Sequence, residues 1–187
     1  MIQNSWMMEK NVNERRILLD SDVIIHFTRA GYQLLLPKIF PNRFVILDKV
    51  KAELEKRKKS LTQLENFIEW SKIEVVAMPN DPAIKKEYAI LKDLRGRGDG
   101  EAACMAVAKH TKDYIASSNL SDIKLYCNLH GIQYLTTMDI LLEAYKKGLM
   151  TEKECDTFIA EVKAKKSKLI DGIDSILAYE KLKETRK

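Results

Sequence analysis

The sequence predicts an α/β fold built on a doubly wound parallel sheet, and three observations carry that expectation. Short runs rich in Ile, Val and Leu recur along the chain, each is apolar on both faces, and longer segments of helical periodicity separate them. A strand that is apolar on both faces has to be covered on both faces, as in a parallel sheet between two layers of helices.

The candidate strands are Ile17–Leu19, Phe44–Leu47, Ile73–Ala77, Tyr114–Ser117 and Ile132–Thr136. After the second run, Asp48 is placed to cap the helix "KVKAELEKRKKSLTQLENFIEW", which the charged stretch near Lys58 and Lys59 can split. Pro82 follows "ND" and marks a first helical position, opening "AIKKEYAILKDL". Gly131 and Gly148 each close a helical pattern, where a left-handed cap falls. Thr151 and Glu154 spell a capping box before "CDTFIAEVKAKK", and a last helix is expected over Ser175–Glu184. The expected organisation is an N-terminal arm over 1–15, one domain over 16–150, and a C-terminal helical extension over 151–187 packed on or near it.

Composition narrows the class. A chain of 187 residues, 45% hydrophobic and 32% charged, suits one domain with a full core. No apolar stretch approaches the ~20 residues that span a bilayer, and "MIQNSWMMEKNVNERR" does not read as a secretory signal, so a cytoplasmic protein without a membrane partner is expected. Cys104, Cys127 and Cys155 are odd in number and far apart, which reads as buried reduced thiols. His26, His110 and His130 lack zinc-ligand spacing and are expected to be surface or helix-end residues. The net charge is +5, with bases clustered in "KRKK" (56–59), "KAKKSK" (163–168) and "KLKETRK" at the C-terminus. Each cluster alone reads as a solvated helix face; together they favour an anionic partner.

The candidate site starts at "ILLDSDVIIHF", where Asp20 and Asp22 interrupt an apolar run. Ligands of such sheets bind outside the carboxyl ends of the strands. Asp20 directly follows the first run and is expected at that edge. Asp22 falls near the start of the next helix, where a capping role and a functional role both suit it. Glu53 lies with Val50, Leu54 and Arg57 at helical spacings, so it faces inward; pairing with Arg57 would account for it equally. In "RGRGDGEAACMAVAKH" a glycine-rich turn enters a helix of small residues, which can approach the sheet closely, with Glu101 in its first turn. In "YIASSNLSDIKLYC" Asn119 occupies a strand-end position like that of Asp20, and Asp122 follows three residues later.

In this order "LLDSDVIIHF", "FVILDKVKAELEK", "GRGDGEAACMAVAK", "YIASSNLSDIKLYCNLHGI" and "YLTTMDILLEAYKKGL" resemble the PIN-domain family, the nuclease fold of many bacterial toxin–antitoxin toxins. The resemblance spans roughly residues 15–150. It implies a three-layer α/β/α sandwich around a central parallel sheet of about five strands. It also implies a carboxylate cluster that binds Mg²⁺ or Mn²⁺ and hydrolyses RNA, with a homodimer and an antitoxin protein as partners. Asp20 matches the first-strand acid, Glu53 the helix glutamate, and Glu101 the acid that opens the small-residue helix. Asn119 stands where the family usually has a fourth aspartate, so the metal site loses one charge there. Asp122 is the residue placed to compensate, with Asp20 and Glu101, as a metal ligand. Ser21, Asp22 and Ser118 are expected to line the site. Arg95 and Arg97, flanking the glycine turn, are candidates for contact with RNA phosphates, or else plain solvated charge.

Two other functions stay in view. Asn119 supports a degenerate PIN module that binds RNA or a protein partner without cutting. "LLDSDVII" also resembles the first motif of haloacid-dehalogenase-like phosphatases, whose later acids would have to come from "LIDGIDS" (169–175).

Overall fold

The computed structural model describes residues 15–41, 43–56, 61–95, 98–165, 167 and 169–185, with the side chains of 61–63 and 94–95 left out of the description. In chain order the elements are β1 (Ile17–Leu19), α1 (Ser21–Ala30), a 3₁₀ turn (Gln33–Leu35), α2 (Leu36–Ile39), β2 (Phe44–Leu47), α3 (Asp48–Lys56), α4 (Leu61–Ser71), β3 (Glu74–Val76), α5 (Pro82–Arg95), α6 (Asp99–Thr111), β4 (Tyr114–Ala116), α7 (Leu120–His130), β5 (Tyr134–Leu135), α8 (Thr137–Lys146), α9 (Glu152–Ala164) and α10 (Ile176–Glu184). The strands form one parallel sheet in the order β3-β2-β1-β4-β5. Helices cover both faces, so the expected α/β/α sandwich is the architecture.

Several strands are shorter than their apolar runs, and at β5 both ends have a local cause. Thr136 leaves β5 because it caps α8: its hydroxyl accepts Asp139 N–H at 3.1 Å, and Asp139 accepts Thr136 N–H at 2.8 Å. Ile132 is drawn into the end of α7, donating to Cys127 O at 2.9 Å after Gly131 turns the chain at φ 62°. The long helix expected after Asp48 is split into α3 and α4; the residues of the break, 57–60, lie outside the described set.

The core is thickest around α6. Every residue from Glu101 to Ala108 is buried, and the helix packs on β1, β2 and β4 between α3, α5 and α7. Its alanines make this possible: a large side chain would hold the axis away from the sheet. The three cysteines are buried and free. The C-terminal helices share the same core. Phe158 on α9 meets Phe27 of α1 edge-on at 4.9 Å between ring centroids, while Ile176 and Tyr179 bury α10 against α8 and α9. Among the described residues, no helix is long and apolar enough to cross a membrane.

Candidate functional site

Strand order places the site. β1 lies between β2 and β4, so the chain leaves β1 and β4 toward opposite sides of the sheet and a crevice opens between their carboxyl ends. Asp20 follows β1 at this point, and Ser117, Ser118 and Asn119 follow β4. The backbone ties the two ends together, Asp20 N–H donating to Ala116 O at 2.9 Å.

Asp20 is only 4% exposed and accepts Ser21 N–H at 2.7 Å, so it is the N-cap of α1. In sequence a capping role and a functional role suit Asp22 equally; the cap itself falls to Asp20 and leaves Asp22 in the first turn. Asp22 sits two positions further in and does two things: it accepts Val23 N–H at 2.6 Å and reaches across to accept Ser118 N–H at 2.7 Å. That second bond fixes the turn after β4 to α1, with Ser117 Oγ also donating to Asp22 at 3.4 Å.

Glu53 does face inward from α3. Its two oxygens accept Ser21 Oγ–H at 3.3 Å and Gly100 N–H at 3.0 Å, so one carboxylate joins the start of α1 to the start of α6. Arg57, the partner that would have made Glu53 an ordinary ion pair, lies outside the described residues. Glu101 follows Gly100 in the first turn of α6, 9% exposed, and accepts Asn119 Nδ2–H at 3.2 Å. The same amide nitrogen donates to Asp122 Oδ2 at 2.5 Å, while Ser121 donates to Asn119 Oδ1 at 2.9 Å. Asn119 therefore bridges two acids.

Asp20, Asp22, Glu53, Glu101, Asn119 and Asp122 thus meet at one edge of the sheet, linked by these bonds. Burial holds the Asp20 carboxyl well above its ordinary range, and the neighbouring charges of Asp22 and Glu101 push it the same way. Asp22 is raised too, by burial, although its backbone donors oppose this. The Cys104 thiol beneath them is pushed far up by burial and by Asp20, Glu101, Asp22 and Glu53. Arg95 ends α5 but its side chain is not among those described, and Arg97 lies outside the described residues.

A match to the family model described as a PIN domain extends over residues 16–174. The chain belongs to the PIN-domain family. No curated protein matches it. In this PIN domain the match runs through α9, and so takes in most of the segment after residue 150 that lies beyond the resemblance read from the sequence. The phosphatase comparison also fails locally. Asp171 and Asp174 lie in an exposed turn, Asp174 pairing with Lys163 at 2.5 Å, and no strand end presents them.

The donor set of this PIN domain is made of oxygen, which suits a hard cation such as Mg²⁺ or Mn²⁺. A buried acid such as Asp20, whose pKa burial and neighbouring carboxylates raise, is also what a divalent charge relieves. Among the described residues, no three acidic, histidine or cysteine side chains are already gathered around one point. Asp20, Asp22 and Glu53 each accept a backbone N–H, and Glu101 and Asp122 accept the Asn119 amide. Asp20, Glu101 and Asp122 are acids whose carboxylate oxygens could hold an ion.

His26 departs from expectation. It is buried in α1, accepting or donating at Nδ1 with Thr137 Oγ at 2.8 Å, and burial with nearby Arg29 lowers its pKa to about 4. Thr137 in turn bonds Ser118 Oγ at 2.8 Å, so a polar chain runs from α1 through the start of α8 to the site turn. The visible signal was a lone polar residue between Val23, Ile24 and Phe27 on an otherwise apolar face.

Proposed function

We propose that this PIN domain is a metal-dependent endoribonuclease. The observation that carries the reading is the linked set of acids at the switch point of the sheet: Glu53 is tied to the starts of α1 and α6, Asn119 bridges Glu101 and Asp122, and Asp20 is buried beside two further charges. Burying like charges together costs several kcal/mol without a compensating cation or proton, so such a cluster needs a reason beyond packing.

In this reading Asp20, Glu101 and Asp122 hold Mg²⁺ or Mn²⁺. When bound, such an ion lowers the pKa of water and neutralises charge on a phosphodiester during in-line displacement. The chain's own residues do the positioning. Ser21 N–H and the Ser117 hydroxyl orient Asp20. Asn119 holds Glu101 and Asp122 at a common spacing. Glu53 sets the distance between α1 and α6, and Asp22 with Ser118 sets that between α1 and the turn after β4. Arg95 and Arg97 stand in sequence beside the glycine turn, where cations would offset the repulsion between acids and RNA phosphates. The toxin role in a toxin–antitoxin pair rests on the sequence resemblance.

The test is cleavage of single-stranded RNA with Mn²⁺, with Mg²⁺ and with EDTA, using Asp20→Asn as control. Losing several kcal/mol of transition-state stabilisation lowers the rate by about 100-fold or more. Equal cleavage by Asp20→Asn and wild type would remove the carboxylate cluster from the chemistry. One observation favours a second reading, a module that binds RNA without cutting it: an amide, Asn119, bridges Glu101 and Asp122 where a further acid is expected. RNA bound but left intact in every metal would select it.

A further inference from the structure

Beside the acids the surface opens into a cleft of about 370 Å³, lined by Asp22, Ile25, His26 and Arg29 of α1, by Ser118 and Asn119 of the turn after β4, and by Ser167, which Arg29 contacts. Its volume lies within the range of small-molecule sites, about 300–1,000 Å³. The first wall is one stripe of α1: positions 22, 25, 26 and 29 share a helix face at the spacings three, four and seven. Along that stripe the chemistry changes in order, from an acid at the candidate site, through an apolar side chain and a neutral imidazole, to an exposed guanidinium at the outer end.

Arg29 is held in place rather than left to sweep through solvent. Its Nη1 donates to Lys165 O at 3.3 Å and to Ser167 Oγ. Among the described residues no partner takes Nη2 or Nε, which leaves that side of the fork to a ligand, and the two bonds anchor Arg29 to the chain segment at Lys165 and Ser167. Lys165 lies at the same junction, donating to Arg29 O. Lys165 and Ser167, from a basic run that reads in sequence as a solvated helix end, therefore sit at the mouth of the cleft.

We propose that this cleft is a nucleotide subsite for the RNA residue next to the scissile bond. It rests on the ribonuclease reading above. The base lies against Ile25, polar edges meet the Ser118 and Asn119 side of the wall, and the outer phosphate is met by Arg29. An acid at one end and an arginine at the other suit a chain whose scissile phosphate is at the acids and whose next phosphate is one nucleotide away. Ile25 offers shape without sequence-reading groups, so base discrimination comes from the turn side.

The test uses the full chain with two probes, adenosine 5′-monophosphate and fluorescein-labelled hexa-adenylate, in EDTA so that cleavage plays no part. The Ile25 methyl resonances of isoleucine-labelled wild type are expected to shift with both probes. Arg29→Ala is expected to weaken hexa-adenylate binding about tenfold, as loss of a charge-assisted contact does, and to flatten the salt slope by about 0.7. Lys86→Ala, an exposed lysine on α5 outside the cleft, serves as the charge control and is expected to bind like wild type. A still Ile25 methyl, or equal losses in Arg29→Ala and Lys86→Ala, overturns the subsite. So does a methyl shift with the mononucleotide alone, which would make the cleft a site for free nucleotides. Cleavage with Mn²⁺, measured separately, keeps the two readings apart. Cleavage without the Arg29 effect removes only the subsite, whereas the Ile25 and Arg29 effects without cleavage remove the nuclease and leave the subsite standing.

Discussion

Gly100 donates its backbone N–H to Glu53 Oε2 at 3.0 Å, and this bond closes α6 onto α3 with no room to spare. A Cβ on Gly100 would stand 3.0 Å from Val50 Cγ2 and 3.1 Å from the Val50 Cα, while one on Gly98 would stand 2.8 Å from Glu53 Oε2. The two glycines before Glu101 are thus a consequence of close helix approach. They let a carboxylate from α3 reach the first turn of α6.

Gly100→Ala meets backbone that does not yield, and overpacking of this kind costs about 1–3 kcal/mol. Gly98→Ala meets the flexible end of Glu53 instead. Urea unfolding and Mn²⁺-dependent RNA cleavage, measured on both variants, should separate them. We expect Gly100→Ala to lose mainly stability, and Gly98→Ala to lose more activity than stability because Glu53 is displaced. The reverse order would mean that Glu53 has no part in the site.

Asn119→Asp replaces a donor shared by Glu101 and Asp122 with a third carboxylate. Without divalent cations the variant should melt lower, because the bridge becomes repulsion. Calorimetric titration with Mn²⁺ should then give tighter binding than wild type, since a carboxylate holds a hard cation better than an amide does. Unchanged affinity would place Asn119 away from the ion.

Asp20 makes stability depend on pH in a defined direction. Its pKa is raised in the native state, so the native protein keeps a proton that the unfolded chain gives up. The stability this represents is present below the ordinary carboxylate range and is lost as pH rises through the raised native value. Asp20→Asn removes the loss while keeping an oxygen for Ser21 N–H. In EDTA at pH 7.5 the variant should melt higher, each ~1 kcal/mol gained adding about 2–4 °C in a chain of this size. A lower melting temperature would show that ionised Asp20 is held better than its surroundings imply.

His26 acts with the opposite sign. Its pKa falls from 6.5 to about 4 on folding, so the unfolded chain binds the proton first. Stability from this group is complete above pH 6.5 and is lost as pH drops toward 4, a span worth about 3 kcal/mol. Denaturant unfolding at pH 7 and pH 5 should show the fall in wild type, and His26→Gln should abolish most of it. NMR titration should find the imidazole neutral at pH 5.5. A protonated ring there would mean that the bond to Thr137 does not hold His26 in its buried, neutral form.

Much of the fold was legible because it depends on local signals that the chain repeats. Two-sided apolar runs announced β1 and β2 to the residue, Pro82 opened α5, and Thr151 with Glu154 capped α9, since capping and periodicity are settled within a few neighbouring residues. The acids at strand and helix starts were legible for the same reason: a charge inside an apolar run stands out without coordinates. Partnership was not. That Asp22 holds a turn 96 residues away, that Asn119 bridges two acids, and that His26 is buried against Thr137 are decided by which ends the strand order brings together. The same holds for Arg29 and the basic run after α9, which lie 136 residues apart and meet because α9 packs on α1. Sequence determines which groups a chain can offer to a site. Only the tertiary structure, by choosing which surfaces are buried against each other, decides which of those groups meet.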